Sequence, residues 1–390
     1  MNIKSLLLGS AAALIAVSGA RAADAVVVAE PEPAEYVKIC DVYGAGYFYI
    51  PGTETCLRIG GYVRYDIGGG DIGSFDGATS ADHRDGSSND TWFKKARFTL
   101  KTWTGQETEL GTLKTYTEVR WNFANHQSDL GADPDGPGPL TNSLNEAGNS
   151  TSLNFAWIQL GGLRVGKDES AFNTFIGYAG NVIQDTLVPY GDFDTNVIQY
   201  YFDAGNGFSA VVSLEEGSGF HTIDSYVPHV VGGVKWTQGW GAITGVVSYD
   251  SNYEEVAGKV RLDVNVNDAI QLWVMGGYGS DSNLSDDAGN AFDAHGRGFY
   301  KQWGGNWAVW GGGTYKFNEK TSFNAQISYD EWKNLGVAAN IAYDIVPGMT
   351  ITAEVDYLNA GKFDDADFSN WTGATKKSSV GGLLRFQRSF

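Results

Sequence analysis

Period-two alternation, repeated along almost the whole chain, limits this sequence more than any other feature. In Leu57–Ile67 the odd positions Leu57, Ile59, Val63, Tyr65 and Ile67 are apolar, while the even positions include Arg58, Arg64 and Asp66. Successive side chains point to opposite faces only in an extended strand, so this sorting specifies one apolar and one charged face. The pattern returns where Ala96, Phe98 and Leu100 alternate with Lys95, Arg97 and Lys101. It returns again where Val119, Trp121 and Phe123 alternate with Lys114, Glu118 and Arg120, and in Val256–Asn265 and Ile351–Tyr357. Glycine supplies 52 of the 390 residues, nearly twice the usual ~7%. Such a composition suits strands and turns rather than a helical enzyme.

Sixteen strands are expected, beginning near residues 57, 92, 112, 152, 163, 195, 207, 228, 241, 255, 269, 305, 321, 334, 349 and 379. Most run 9 to 12 residues, close to the ~9–11 that a tilted strand needs to cross a bilayer. Their connections alternate in length. Gly161–Gly162, Asn267–Asp268 and Pro347–Gly348 are tight turns, whereas 68–91, 124–151, 168–194, 216–227, 280–304 and 358–378 are long and polar. Around 251–254 and 331–333 the long side is short. Tight turns at one end and long loops at the other describe a transmembrane antiparallel β-barrel with short periplasmic turns and long extracellular loops. A soluble β-sandwich could also alternate, but its core would have to hold the charges on these inner faces. A barrel puts lipid outside and water inside. No linker interrupts residues 57–390, which form one pore domain.

Residues 1–22 read as a signal peptide: Lys4, an apolar run from Leu6 to Val17, then Ala20-Arg21-Ala22. Its removal takes away Lys4 and Arg21 and no acid, moving the formal charge from -19 to -21. That deficit excludes a nucleic-acid partner, which would need a basic face. Nothing after it approaches the ~18 apolar residues of a spanning helix. Residues 23–56 form an N-terminal periplasmic segment. Cys40 and Cys56, an even pair in an oxidising compartment, suit a disulfide better than a metal site, with two free thiols as the alternative.

Catalytic and metal signals are weak. The five histidines, at 83, 126, 221, 229 and 295, have no ligand spacing. No nucleophile elbow, Walker loop or zinc-protease motif occurs. Asp133–Gly136 and Asp281–Asp287 lack the remaining ligands of a Ca²⁺ loop. No enzyme activity, cofactor or metal is expected. Val380, Gly382, Leu384, Phe386 and the terminal Phe390 share one parity, so alternation reaches the final residue.

The sequence resembles the alphaproteobacterial, rhizobial-type general porins. The resemblance is carried by Val42–Cys56 (VYGAGYFYIPGTETC), Gly61–Tyr65 (GYVRY), Glu107–Thr115 (ETELGTLKT), Ile158–Gly166 (IQLGGLRVG) and Arg385–Phe390 (RFQRSF). It covers essentially the whole mature chain. It implies a sixteen-stranded homotrimeric barrel in the Gram-negative outer membrane, passing small hydrophilic solutes and ions. It also implies a third loop folded into the lumen. A barrel acting as an adhesin or a barrel enzyme is the alternative, and lipopolysaccharide is an expected neighbour.

With such a loop, an acidic edge would face a basic wall across the constriction. The acids are Asp168, Glu169, Asp185, Asp192 and Asp194. The bases, on the non-lipid parity, are Arg58, Arg64, Lys95, Arg97, Lys101, Lys114, Arg120 and Arg164, with Lys167 at the strand end. Enterobacterial general porins carry Pro-Glu-Phe-Gly in this loop. Here the counterpart is Pro189-Tyr190-Gly191-Asp192, which leaves open which carboxylate points into the pore. Weak cation preference at low salt is expected from the acidic total charge.

Overall fold

The computed structural model describes residues 38–390 except 74, 76, 83, 86, 126–146, 281–297, 362, 364–373 and 375. The expected signal peptide, both Ca²⁺-like stretches and three of the histidines (83, 126 and 295) lie outside the described residues. Apart from Lys38, everything described belongs to the unit Ile39–Phe390.

Sixteen antiparallel strands form a closed barrel. They are β1 (Cys56–Gly70), β2 (Phe93–Thr108), β3 (Gly111–Asn125), β4 (Ala147–Leu160), β5 (Leu163–Glu169), β6 (Asp194–Asp203), β7 (Phe208–Glu215) and β8 (His229–Gln238). Then come β9 (Gly241–Asp250), β10 (Glu255–Asn265), β11 (Ile270–Gly279), β12 (Trp307–Asn318), β13 (Thr321–Asp330), β14 (Leu335–Val346), β15 (Met349–Asn359) and β16 (Ser378–Ser389). Each strand pairs with its sequence neighbour, and β16 pairs with β1 from Gly381↔Gly70 to Ser389↔Tyr62. The seam continues one residue further, where Gly61 and Phe390 exchange two backbone hydrogen bonds of 3.1 Å. Closure leaves no open edge, the condition for strands to stand in hydrocarbon.

The alternation read from the sequence is the inside–outside sorting of this barrel. Ile59, Val63, Tyr65, Phe98, Trp121, Val212, Val247, Val260 and Val355 are exposed on the outer face. The terminal Phe390 stacks on Phe98, with ring centroids 6.5 Å apart. Every expected strand start lies within five residues of the observed one. The largest difference is β4, which starts at Ala147 rather than 152. Asn149, Ser150, Thr151 and Ser152 are polar on both faces and hide the period, although they pair with Phe123 through Arg120.

Tight turns join β2–β3, β4–β5, β8–β9, β12–β13 and β14–β15. In the last of these, Pro347–Gly348, the glycine has φ +79°, a conformation most side chains avoid. The opposite end carries the longer connections, and residues 78–81 and 88–91 form a small hairpin in the first of them. At the turn end, Cys40 and Cys56 are disulfide-bonded with Cα atoms 6.0 Å apart. Residues 48–49 pair with Cys56 and Leu57, so the N-terminal segment is fastened to the first residues of β1.

Candidate functional site: the lumen and its inserted segment

Strand β5 runs to Glu169, two residues beyond the expected strand end, and the chain then leaves the wall. Ser170 caps a four-residue helix, α1 (Ala171–Thr174), its hydroxyl accepting from Phe172 N at 3.1 Å. Residues 170–193 then pack against the inner faces of the far strands. Phe172, Ile176, Val188 and Tyr190 are buried with Val211, Val231, Met275 and Trp310 in one apolar cluster. Small inward positions make room for the segment: a Cβ on Gly233 would stand 2.8 Å from the Phe175 ring.

Polar bonds fix the segment's course. The Lys259 ammonium, from β10, donates to Asn173 Oδ1 at 2.6 Å and to the Tyr190 carbonyl at 2.7 Å. Arg261 donates to the Tyr178 carbonyl at 2.6 Å, and Trp310 Nε1 to the Val188 carbonyl at 2.7 Å. Gln326 donates to the Asp185 carbonyl at 2.7 Å, and Asn340 to the Asn181 carbonyl at 3.1 Å. Glu354 on β15 accepts from Gln184 N at 2.7 Å and from Ile183 N. These bonds come in order from β10, β12, β13, β14 and β15, so the segment traverses that side of the lumen. A loop crossing a pore has backbone groups to satisfy, and inward polar side chains satisfy them here.

The inward faces of β16, β1, β2 and β3 carry the basic residues. Gln387, Arg64, Arg97 and Asn122 lie in one row across four strands. Arg64 donates to Gln387 Oε1 at 2.9 Å, and Arg97 to Asn122 Oδ1 at 2.7 Å. Nearby, the buried Glu118 holds both Lys101, at 3.1 Å, and Arg120, at 2.7 Å. Arg385, absent from the expected set, forms a two-pronged pair with Asp66. Lys95 is half-buried on β2, beside Arg97. Arg58 and Lys114 are exposed nearer the turn end, Arg58 with its guanidinium 4.7 Å from the Trp103 ring centre.

The expected acids are spread among different partners. Asp168 is buried in β5 and bound to Arg164 at 2.7 Å. Asp194, the first residue of β6, pairs with Lys167. Glu169 accepts from the Tyr178 hydroxyl. Asp192 caps Phe193 N at 2.8 Å and lies 3.7 Å from His221 Nδ1. Asp185 accepts from the Tyr190 hydroxyl at 2.7 Å, and burial raises its carboxyl to about 6. Lys259, Arg261, Asn340 and Glu354, which hold the segment, were not among the expected site residues. Their signal was present as polar positions opposite the apolar parity, but parity does not tell which of them meets an inserted loop. Among the described residues no cluster of His, Cys, Asp and Glu could hold a metal ion.

A closed sixteen-stranded barrel, apolar outside and charged within, with the β5–β6 connection folded inside, defines an outer-membrane porin, an integral barrel that acts as a channel. The sequence matches the porin subfamily over residues 24–383, and the chain belongs to that family. It is 50% identical to porin Omp2b of Brucella suis biovar 1 over 400 residues and to porin Omp2b of Brucella abortus strain 2308 over 401, covering all of both chains in each case. Its fold is similar to the outer membrane channel DcaP of Acinetobacter baumannii (TM-score 0.56, 16% identity, 88% of this chain and 99% of that one). It is also similar to a Rhodopseudomonas blastica porin mutant (TM-score 0.52, 13% identity, 86% and 100%).

Proposed function

We propose that the porin passes ions and small hydrophilic solutes through a charged constriction between segment 170–193 and the basic inner wall of β16 and β1–β3. The observation that carries this reading is the series of bonds from Lys259 to Glu354, which draws the segment to one side and leaves the arginine row on the other. Charges opposed across a narrow aqueous gap create a transverse field that orients dipolar solutes and disfavours apolar ones. Asp185 on the segment and Glu169 at its root in β5 are the acids of this reading, because Asp168 and Asp194 are each matched by a base of the wall and Asp192 caps Phe193 N beside His221. Arg64 and Arg97 lead on the wall side.

A passive channel needs no catalytic group, and we read the barrel as one. Ser251 Oγ does approach His229 Nδ1 at 3.2 Å, but that nitrogen also accepts from Ser251 N at 3.0 Å and the ring is fully buried.

We further read the assembly as a homotrimer, with lipopolysaccharide around its extracellular rim. In support, Thr104 and Thr115 hydrogen-bond at 2.6 Å on the outer face of β2–β3, and Thr102 bonds Thr117 beside them. That face is more polar than the valine-rich outside of β7–β11, as a subunit contact would be. Unheated electrophoresis should show one slow band that collapses on boiling.

The constriction is tested by single-channel recording in a salt gradient with Arg64→Gln/Arg97→Gln. The double variant should conduct, with its reversal potential moved toward cation selectivity. An unmoved reversal potential would remove the arginines from the conducting path.

A further inference from the structure

Below the arginine row, toward the turn end, the inner wall changes character. Arg58, Trp103, Tyr116 and Trp157 are register partners on β1, β2, β3 and β4. They share the inward parity of Arg64, Lys101 and Glu118. The Trp103 and Tyr116 rings stack with centroids 5.3 Å apart, and Tyr116 and Trp157 follow at 5.7 Å. All three rings keep part of their surface uncovered. The interior of a water-filled barrel is normally polar, so a row of half-exposed rings there has no solvation reason to exist.

Cations accompany the rings. Besides Arg58 over Trp103, the Arg164 guanidinium lies 4.0 Å from the Trp157 ring centre. Arg164 is spoken for by Asp168. Arg58 and Lys114 are not: both are exposed, and neither forms an ion pair among the described residues. Lys114 is two residues from Tyr116 on the same strand face. The rim carboxylate Glu107 accepts from the Tyr43 and Thr112 hydroxyls at 3.0 Å. Tyr116 points its hydroxyl at Glu118 at 2.6 Å, and its ring lies between Trp103 of β2 and Phe155 and Trp157 of β4 with part of its surface exposed.

We propose that this row is a solute-binding step on the periplasmic side of the lumen, selective for small aromatic anions such as aryl carboxylates. The solute ring packs edge-to-face against the exposed parts of Trp103 and Tyr116, and its carboxylate takes Arg58 or Lys114. An aromatic contact and a charge-assisted bond act together only on a ligand that has both groups at benzoate-like spacing. A neutral sugar would use the rings and leave the cations idle. An aliphatic anion would do the reverse. The step is separate from the constriction and does not depend on how that is charged.

The test is current blockade through single channels by benzoate, cyclohexanecarboxylate and maltose, each added at the periplasmic side. Benzoate should bind about fivefold more tightly than cyclohexanecarboxylate, the increment expected of one aromatic contact. Trp103→Leu/Tyr116→Leu should erase that preference while the channel still conducts KCl, and Trp157→Leu should reduce it. Arg58→Gln/Lys114→Gln should weaken both anions alike. Equal blockade by the two anions in the unaltered protein would overturn the proposal without any variant. Stronger blockade by maltose would overturn it in favour of a carbohydrate site, as would a leucine variant that keeps the preference for benzoate.

Discussion

Arg64 and Arg97 are direct cross-strand partners on the inner face of β1 and β2, and each is held by an amide oxygen rather than a carboxylate. Arg64 also stacks over the Tyr62 ring, 4.6 Å from its centre. Like charges placed opposite one another oppose folding. The neutral partners fix the geometry of both guanidinium groups and leave their charge in the lumen. In the same wall, Asp66 on β1 neutralises Arg385 and Glu118 on β3 neutralises Arg120 and Lys101, so the wall is not uniformly basic.

This pairing costs the barrel stability. Arg64→Gln/Arg97→Gln should unfold at an equal or higher temperature than the unaltered porin, a gain of roughly 0.5 kcal/mol at low salt. Heat-modifiability on gels measures it, and a clearly less stable variant would mean that the arginines support the wall rather than burden it.

Asp185 gives the channel a pH dependence. Burial, together with the nearby Glu354 and Glu169 charges, outweighs the Tyr190 hydrogen bond and raises its carboxyl from 3.8 to about 6. A raised acid is charged above its pKa and neutral below it. Lowering the pH from 7 to 5 should therefore remove most of one negative charge from the inserted segment and shift the reversal potential toward anions. In Asp185→Asn that part of the shift should be missing. If the variant and the unaltered protein titrate identically, Asp185 is not felt in the pore.

Lys259 is buried, has no carboxylate partner among the described residues, and serves two oxygens of the inserted segment. Lys259→Met keeps the length of the side chain and leaves both acceptors unmet, a loss of roughly 1–3 kcal/mol. The segment should then fluctuate, which open-channel current noise would register before any loss of the barrel. A quiet channel of normal conductance would show that the remaining bonds suffice.

The disulfide closes a short loop, worth about 3 kcal/mol in the chain-entropy picture. Cys40→Ser/Cys56→Ser should free the segment before β1 to proteolysis and leave KCl conductance intact, since β1 is also held by β2 and β16. Equal protease resistance with and without the bridge would show that the pairing at residues 48–49 is enough.

The barrel was legible in the sequence because lipid and water impose opposite demands on alternate residues, as at Ile59 and Arg58 or Phe98 and Arg97. The turns were legible for a similar reason: Pro347–Gly348 admits almost nothing else. The inserted segment was accessible only by resemblance. Phe172, Val188 and Tyr190 look like ordinary loop residues until Val211, Met275 and Trp310 are brought to them from strands far away in sequence. The pairing of Asp168 with Arg164 was hidden differently. A four-residue spacing suggests a helix, yet here a strand that curls at its end, with Gly166 at φ +128°, brings the two together. Charge counting treated all five acids alike, whereas their partners separate them.

The most direct test places a reporter on the wall. Arg97→Cys adds the one free thiol to a chain whose described cysteines are bridged. A bulky thiol reagent is then added while a single channel conducts. The account predicts stepwise loss of most of the current as the thiol reacts beside the inserted segment. Complete labelling with unchanged current would mean that ions do not pass between Arg97 and residues 170–193, and the proposed constriction would be wrong.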